Sequence, residues 1–270
     1  MLNGGGKMLS VIVPVFNQVE YTKGFVKSLE ETITVPFELI FIDNGSIDET
    51  PNFLENLAYR YQEDKETKMK DVVVLKNRKN EGIFVAFNQG LQTAKYNRIL
   101  ICNNDIQFRP NWDKELLGVI EFDRELGLVG PQAFYPHDTG DWLTKSEDKT
   151  AVGIHGCCFM LKKEMLNDLK EKEKGTEKYP GVFDRDYFAY WGDCDFVKRV
   201  RQNGWKVLTT SKVWVYHFGA RTIDGWKGSG EDYRKGMDRF FGKFNPPTNC
   251  DWTVSGSCYY YKKDGVMLPF

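Results

Sequence analysis

The first half of the chain alternates short apolar runs with longer segments in which apolar residues recur at helical spacing. Such alternation predicts strands separated by helices, and therefore a mostly parallel sheet with helices on both faces. The predicted strands are Met8–Phe16, Phe37–Ile42, Val72–Leu75 and Arg98–Cys102. The predicted helices are Glu20–Thr32, one capped at Ser46 or Thr50 that ends near Glu63, Ile83–Ala94 and Trp112–Arg124.

After Leu128 the alternation becomes less regular. A Gly-rich stretch, "HFGARTIDGWKGSGEDY", is interpreted as a mobile loop, and the aromatic residues after Phe244 as a strap on the surface. We expect one domain over 1–244, with halves of about 8–125 and 126–244, and a tail over 245–270. The other predicted elements are a strand at Gly153–Leu161, a Lys-rich helix within Lys162–Lys178, a helix at Asp193–Gln202, and one or two strands within Trp205–Tyr216.

Composition excludes several classes of function. The 270 residues carry 37 Lys and Arg against 38 Asp and Glu, and this balance gives no support to a nucleic-acid or membrane-surface binder. No apolar stretch approaches the roughly 18 residues of a membrane-spanning helix. The N-terminus "MLNGGGK" lacks a signal-peptide pattern, which favours the cytoplasm, with peripheral membrane association left open. None of the six cysteines forms a CxxC pair, and a Cys250–Cys258 disulfide is possible but unsupported.

Polar residues follow three of the predicted strands at the point where each strand ends. The three stretches are Pro14-Val15-Phe16-Asn17, Asp43-Asn44-Gly45-Ser46 and Asn103-Asn104-Asp105. One such ending is common because turns need these residue types. Since ligands of open α/β sheets bind beyond the carboxyl ends of the strands, three endings together predict a binding site.

Each carboxylate in these stretches allows two interpretations. Asp43 could form a simple turn, or it could accept a hydrogen bond from a nucleobase N–H. Asp105 could cap the next helix, or it could bind a divalent cation that bridges a diphosphate, because Mg²⁺ and Mn²⁺ prefer carboxylates together with phosphate oxygens.

Four stretches in this half resemble, in order and spacing, the donor-binding half of family 2 glycosyltransferases of the GT-A fold. They are "LSVIVPVFNQ", "ELIFIDNGSIDET", "NRKNEGIFVAFNQG" and "ILICNNDIQFRPNW". "GIHGCCFMLKKEML" and "YFAYWGDCDFVKRVRQNGWKV" resemble the acceptor half. The resemblance covers roughly Leu9 to Thr222, and it implies an α/β GT-A fold with a single Rossmann-like mixed sheet flanked by helices.

The resemblance implies roles for the donor half. Asp43 matches the carboxylate that recognises a uracil or thymine ring, and Asp105 matches the metal-binding carboxylate of the family's D-x-D motif. Asn103 replaces the first Asp of that motif, as in the N-N-D subset that resembles rhamnosyltransferase-like members. The remaining donor-binding residues implied are Pro14, Val15, Phe16, Asn17, Asn80, Gly82, Asn88, Asn103 and Asn104.

The acceptor half should supply a general base. Asp193 aligns with the Asp of the family's E-D-x-D pattern, although the preceding Glu has become Gly192. An inverting transfer needs a carboxylate there, to take the proton of the attacking hydroxyl. Trp191 beside it resembles an acceptor-stacking platform or packs in the core. Asp195 could bind the acceptor, or it could simply be an acidic residue of the kind that the helix dipole favours at a helix N-terminus.

Two further features concern the diphosphate. In related glycosyltransferases a His at the place of His217 completes the metal site, although a lone His after an apolar strand is more often structural. Arg221 and Lys227 lie in the Gly-rich stretch, where a cation could reach the diphosphate; solvent exposure is the equal alternative. We expect this loop to close over the donor and exclude water.

The sequence therefore predicts an inverting, metal-dependent glycosyltransferase. It would use a nucleoside-diphosphate sugar with UDP or dTDP, a glycan, lipid-linked or protein acceptor, and Mn²⁺ or Mg²⁺. Two alternatives stay open: a nucleotide-sugar-binding protein without transfer activity, and a nucleotidyltransferase. The second would place its Gly-rich loop after the first strand, whereas "NGGGK" precedes it here.

Overall fold

The fold was analysed in a computed structural model. It describes residues 8–63, 67–134, 154–174, 182–219, 229–245, 251–255, 258–263 and 266–269. Over these ranges, a large mixed sheet lies between two layers of helices, and a small antiparallel sheet follows in the C-terminal part.

The strands of the large sheet are, in chain order, β1 (Leu9–Val15), β2 (Phe37–Asp43), β3 (Met69–Lys76), β4 (Arg98–Cys102), β5 (Ile106–Phe108), β6 (Leu126–Phe134), β7 (Cys158–Lys162) and β8 (Lys206–His217). Their spatial order is β3-β2-β1-β4-β7-β6-β8-β5. The small sheet contains β9 (Asp251–Ser255), β10 (Cys258–Lys263) and β11 (Val266–Pro269). The helices are α1 (Val19–Thr32), α2 (Thr50–Glu63), α3 (Ile83–Thr93), α4 (Trp112–Phe122), α5 (Lys163–Lys172), α6 (Gly192–Gln202) and α7 (Ser229–Phe244).

The first four strands form the parallel part of the sheet, as the alternation predicts. β1 pairs in parallel with β2 on one side and with β4 on the other, and β2 pairs in parallel with β3. Pro14 is tolerated in this central strand because it lies beyond Ile12, the last residue paired with β4. The carboxyl ends of β1, β2 and β4 therefore meet at one edge, as the three polar endings predict.

The second half makes the sheet mixed. β7 runs antiparallel to β4 and to β6, while β8 runs parallel to β6 and antiparallel to β5. The sequence did not predict β5, β6, α7 or the strands of the small sheet. The pairing of β5 with β8 places Ile106 opposite His217, which brings the end of β8 to the residues that follow β4.

The core divides into two layers, one on each face of the sheet. Alternate residues of β1 face opposite layers, since Val11 and Val13 belong to one hydrophobic cluster and Ile12 to the other. Helices α1, α2 and α4 cover the first face, and α3, α5, α6 and α7 cover the second. Every residue of β1 and β2 is buried, as expected for strands covered on both faces. Within the described ranges, every helix is too short or too polar to cross a bilayer.

Candidate active site

The loops after β1 and β2 are joined at the carboxyl edge of the sheet. The Asn17 N–H donates to Ser46 Oγ at 2.7 Å, and the Ile47 N–H donates to Asn17 Oδ1 at 2.8 Å. Asn17 is in the left-handed region with φ 55°, a conformation that Asn tolerates better than most residues. Pro14 and Val15 are buried in β1, whereas Phe16 is half-buried beside Asn17. Asn17 therefore holds the two loops together with its side chain.

Asp43 is the last residue of β2 and is only 3% exposed. Its Oδ1 accepts a hydrogen bond from the Ser46 N–H at 2.9 Å, so the turn interpretation is correct for this oxygen. Its Oδ2 has no hydrogen-bond partner among the described residues. One carboxylate oxygen thus shapes the loop, and the other is available to a ligand at the sheet edge.

A network of side-chain amides lies beside Asp43. Asn44 donates to Asn80 Oδ1 at 2.8 Å and to Gly82 O at 3.2 Å, and its own Oδ1 accepts from Asn77 at 2.9 Å. Asn77 and Gln89 exchange hydrogen bonds through their amides at 2.8 and 3.0 Å. Sequence reasoning missed this role of Asn44, although its place after a buried strand was the signal.

Two of the predicted donor-binding residues in this region have structural contacts instead. Gly82 begins α3 with φ +91°, and a Cβ there would lie 2.8 Å from the carbonyl oxygen of Phe188. Asn88 is 5% exposed, and its amide donates to Phe183 O at 2.8 Å and accepts from Phe183 N–H at 3.0 Å. Gly82 and Asn88 thus serve the packing between the two halves of the chain, so we do not retain these two residues as donor ligands.

The two asparagines after β4 point to different environments. Asn104 is 4% exposed, and its amide nitrogen donates to Thr22 Oγ1 of α1 at 2.9 Å, so its predicted contact with the donor would have to use the amide oxygen. Asn103 donates its backbone N–H to Cys157 O at 2.8 Å. The side-chain Oδ1 of Asn103 is buried and accepts no hydrogen bond within the described residues.

Asp105 and His217 lie in contact at the sheet edge. His217 Nε2 lies 3.1 Å from Asp105 Oδ1, and both side chains are less than 10% exposed. The His217 backbone ends β8, and the Phe218 N–H donates to Asp105 O at 3.1 Å. Backbone pairing thus holds together two residues that are 112 positions apart. The sequence carries no sign of this pairing, because β5 has only three residues and is too short to show a strand periodicity.

The electrostatics of this pair suit a cation ligand set. Asp105 Oδ1 is buried, and its polar neighbour in the described chain is His217 Nε2. Burial lowers the pKa of His217, but the neighbouring Cys157 thiol and the Asp105 carboxylate oppose that effect, and the net pKa rises from 6.5 to about 10. A carboxylate and a deprotonated imidazole are both common metal ligands, but the described residues contain no group of three or more His, Cys, Asp or Glu side chains placed to hold a metal ion.

Asp193 lies in the first turn of α6, where the helix dipole stabilises a carboxylate. Its side chain packs directly against Gly156, in the loop before β7. Trp191, immediately before α6, adopts the left-handed conformation with φ 72°, and this turn directs the start of the helix.

The predicted acceptor contacts of Trp191 and Asp195 are corrected by the structure. Trp191 is 3% exposed and packs against Tyr233, Phe240 and Phe241 of α7, with ring centroids 5.3 to 5.6 Å apart. Asp195 is fully buried.

The contacts of Asp195 are ionic. It pairs with Arg199 at 2.7 Å and with Lys243 of α7. Both predictions failed for one reason: α7, which was not predicted, covers this side of α6.

Some predicted residues lie outside the described part of the chain. Arg221 and Lys227 fall in residues 220–228. The predicted loop runs from His217 to Tyr233, and its described end is not a loop, since residues 229–233 begin α7. The Cys250–Cys258 pairing also cannot be placed, since Cys250 falls in residues 246–250. The four cysteines at positions 102, 157, 158 and 194 are buried and form no disulfide with another described residue.

Comparison with known proteins places this geometry in a family. The family model described as "Glycosyl transferase family 2" matches residues 10–180, well over half of the chain. A protein of Haemophilus influenzae named as an uncharacterized glycosyltransferase is 26% identical over 122 residues, which are 45% of this chain and 37% of that relative. This chain thus matches little more than a third of the relative's length.

Solved structures share the architecture. The mannosyltransferase PcManGT from Pyrobaculum calidifontis, in complex with GDP-Man and Mn²⁺, superposes with a TM-score of 0.65 and 18% identity, over 87% of this chain and 63% of that one. A 1–349 fragment of TarS from S. aureus, in complex with UDP-GlcNAc, gives a TM-score of 0.63 and 17% identity, over 87% and 66%. These likenesses confirm the predicted GT-A fold. The finer resemblance to N-N-D members stays a prediction.

Proposed function

Because the chain belongs to glycosyl transferase family 2, we propose that it transfers a sugar, with inversion, from a nucleoside-diphosphate sugar to a hydroxyl of a glycan, lipid-linked or protein acceptor. UDP and dTDP are the expected nucleotides. The observation that carries the proposal is the buried contact of Asp105 with His217 at the edge where β1, β2 and β4 end. This is the edge at which open α/β sheets bind ligands.

The nucleoside would lie across the loops after β1 and β2. Asp43 Oδ2 is the acceptor available for the N–H of a uracil or thymine ring, because Oδ1 is already used by Ser46. The hydrogen bonds of Asn17 to Ser46 and Ile47 fix the position of the two loops before the donor arrives. The complexes of PcManGT with GDP-Man and of TarS with UDP-GlcNAc support a nucleotide sugar as the donor class.

The diphosphate would lie beside Asp105 and His217, which we propose as the protein ligands of Mn²⁺ or Mg²⁺. When bound, the cation would neutralise the charge that develops on the leaving diphosphate. The imidazole favours Mn²⁺, since Mg²⁺ takes oxygen ligands almost exclusively. Asn103 Oδ1, buried and without a hydrogen bond in the described chain, is a neutral acceptor for a hydroxyl of the sugar or ribose.

Asp193 would act as the general base. Its carboxylate takes the proton from the acceptor hydroxyl while that oxygen forms the new bond to the anomeric carbon, and the bond to the nucleoside diphosphate breaks on the opposite face. The electron pair of the broken bond leaves with the diphosphate. The anomeric configuration inverts because attack and departure occur on opposite faces.

The first experiment tests the donor and the metal. The purified chain would be titrated calorimetrically with UDP, dTDP and GDP, with and without Mn²⁺, and then assayed for nucleotide release from the corresponding sugars. We expect Mn²⁺ to strengthen binding of one nucleotide, and Asp105→Asn to remove that gain. Asp238→Asn, on the exposed side of α7, is the matched control. Equal Mn²⁺ enhancement in Asp105→Asn and in the control would contradict the metal assignment.

The second experiment tests the base. Asp193→Asn should bind nucleotide and Mn²⁺ as the unmodified protein does, but lose about 10²- to 10⁴-fold in transfer rate. NMR of the product should show the opposite anomeric configuration to that of the donor. A protein that binds a nucleotide sugar but transfers it to no glycan, lipid or peptide acceptor would instead be the binding protein considered above.

A further inference from the structure

The loop before β7, residues 154–157, connects the two parts of the proposed site. The carbonyl of Cys157 accepts the backbone N–H of Asn103 at 2.8 Å, next to the Asp105 side of the site. The Cys158 N–H donates to His155 O at 3.2 Å, which closes the loop into a turn. Gly156, between these two residues, lies against the carboxylate of Asp193.

The position of the Asp193 side chain, and not the backbone conformation of residue 156, requires a glycine at this place. A Cβ on Gly156 would lie 2.3 Å from Asp193 Oδ2, 3.0 Å from its Cγ and 3.3 Å from its Cβ. Contacts below 3.0 Å are essentially never made by a real Cβ. Gly156 is not among the glycines with positive φ, so an alanine could adopt its backbone conformation. The space left by the missing side chain is therefore occupied by the Asp193 carboxylate.

We propose that Gly156 is a positioning residue for Asp193, an inference that rests on the proposed function. An added methyl group at Gly156 would collide with the end of a side chain, not with backbone. Rotation of Asp193 would relieve the collision while the fold stays intact. The rotated carboxylate would leave its place opposite the donor, and a misplacement of about 1 Å can lower a rate by about 100-fold.

The test compares Gly156→Ala with Gly118→Ala. Gly118 is exposed on α4, and a Cβ there would meet nothing within 4 Å, so the same chemical change is made without a collision. For Gly156→Ala we expect kcat to fall about 100-fold, with the donor KM, the affinity for nucleotide with Mn²⁺ and the melting temperature unchanged. Gly118→Ala should retain the unmodified kcat. A structural role for Gly156 would instead lower the melting temperature and the donor affinity together.

Two further measurements separate this inference from the proposed function. If Gly156 acts through Asp193, Gly156→Ala should add little to the loss already caused by Asp193→Asn. A crystal structure of Gly156→Ala should show the carboxylate rotated away from residue 156. Unmodified kcat in Gly156→Ala, beside an inactive Asp193→Asn, would overturn the inference alone, and so would an unmoved carboxylate. Unmodified transfer by Asp193→Asn would overturn the base and the proposed function.

Discussion

Asn88 gives the sharpest test of the structure against the sequence, because the two assign it different roles. The family resemblance predicts a donor contact, whereas the structure uses its amide to hold the backbone of Phe183. Both hydrogen bonds, at 2.8 and 3.0 Å, are buried and join α3 to the segment that leads to α6. Replacing Asn88 with Ala removes both partners of Phe183 at once.

The expected cost follows from the two backbone groups left behind. Phe183 is fully buried, so its N–H and C=O would lose their partners away from water. Each unsatisfied buried group costs about 1–3 kcal/mol, so Asn88→Ala should lower the free energy of unfolding by about 2–6 kcal/mol. A domain is stable by about 5–15 kcal/mol in total, so the loss should be large but need not prevent folding.

The assay is urea unfolding followed by tryptophan fluorescence, with nucleotide affinity measured on the folded protein. Asn52→Ala is the matched control, because Asn52 is exposed on α2 and, within the described residues, its side chain bonds to the side chain of Glu49 alone. We expect the control to change the free energy of unfolding by less than about 0.5 kcal/mol. An Asn88→Ala protein as stable as the control, but with weakened donor binding, would refute the structural role and restore the donor contact.

Three further predictions concern the charges and thiols of the same region. Asp195→Asn should lower the free energy of unfolding by about 3–5 kcal/mol, since it removes the buried carboxylate that pairs with Arg199 and Lys243 and leaves Lys243 with the longer contact to Asp184, at 3.6 Å; urea unfolding equal to that of the unmodified protein would contradict this. Chelation of the metal should abolish transfer. The pKa of His217 is raised to about 10, and its imidazole binds metal only when it is deprotonated. Mn²⁺ affinity should therefore rise by up to about tenfold per pH unit below pH 10. Calorimetry of His217→Gln should show no such slope. Burial raises the pKa of the thiols of Cys102 and Cys158. Alkylation followed by peptide mass spectrometry should therefore label these two cysteines only after unfolding.

The parallel half of the fold was predictable because its elements carry strong local signals. β1, β2 and β4 are mainly apolar strands covered on both faces. The boundaries of α1 and α3 agree with the predictions to within one residue, and α2 begins at Thr50, the second of its two predicted caps. Asp43 and Asp105 were predicted as site residues from the same kind of signal, since each comes at or just after the end of a run of buried residues. Their neighbours on the sheet were also inferable, because parallel strands joined by helices usually lie side by side.

The acceptor side was less predictable because its environment is set by residues distant in sequence. The sequence allows Trp191 to be either an acceptor-stacking platform or a core residue. The structure favours the core, because Tyr233 and Phe240 of α7 pack against the indole ring. The need for glycine at position 156 could not be predicted from the sequence, because it arises only from the close approach of the Asp193 side chain. The strand β5, with three residues, is too short for any periodicity.

The relation between the base and the metal pair depends on backbone contacts. Asn103 bonds to Cys157 on one side of the loop before β7, and Asp193 packs on Gly156 within it. His217 is held beside Asp105 by the pairing of β8 with β5. Arg239 and Lys243 attach α7 to Asp184 and Asp195 by ion pairs. Salt screens buried ion pairs much less than exposed ones, and Asp184 and Asp195 are buried. High ionic strength should therefore leave both the attachment of α7 and the distance between the proposed base and the metal ligands largely unchanged.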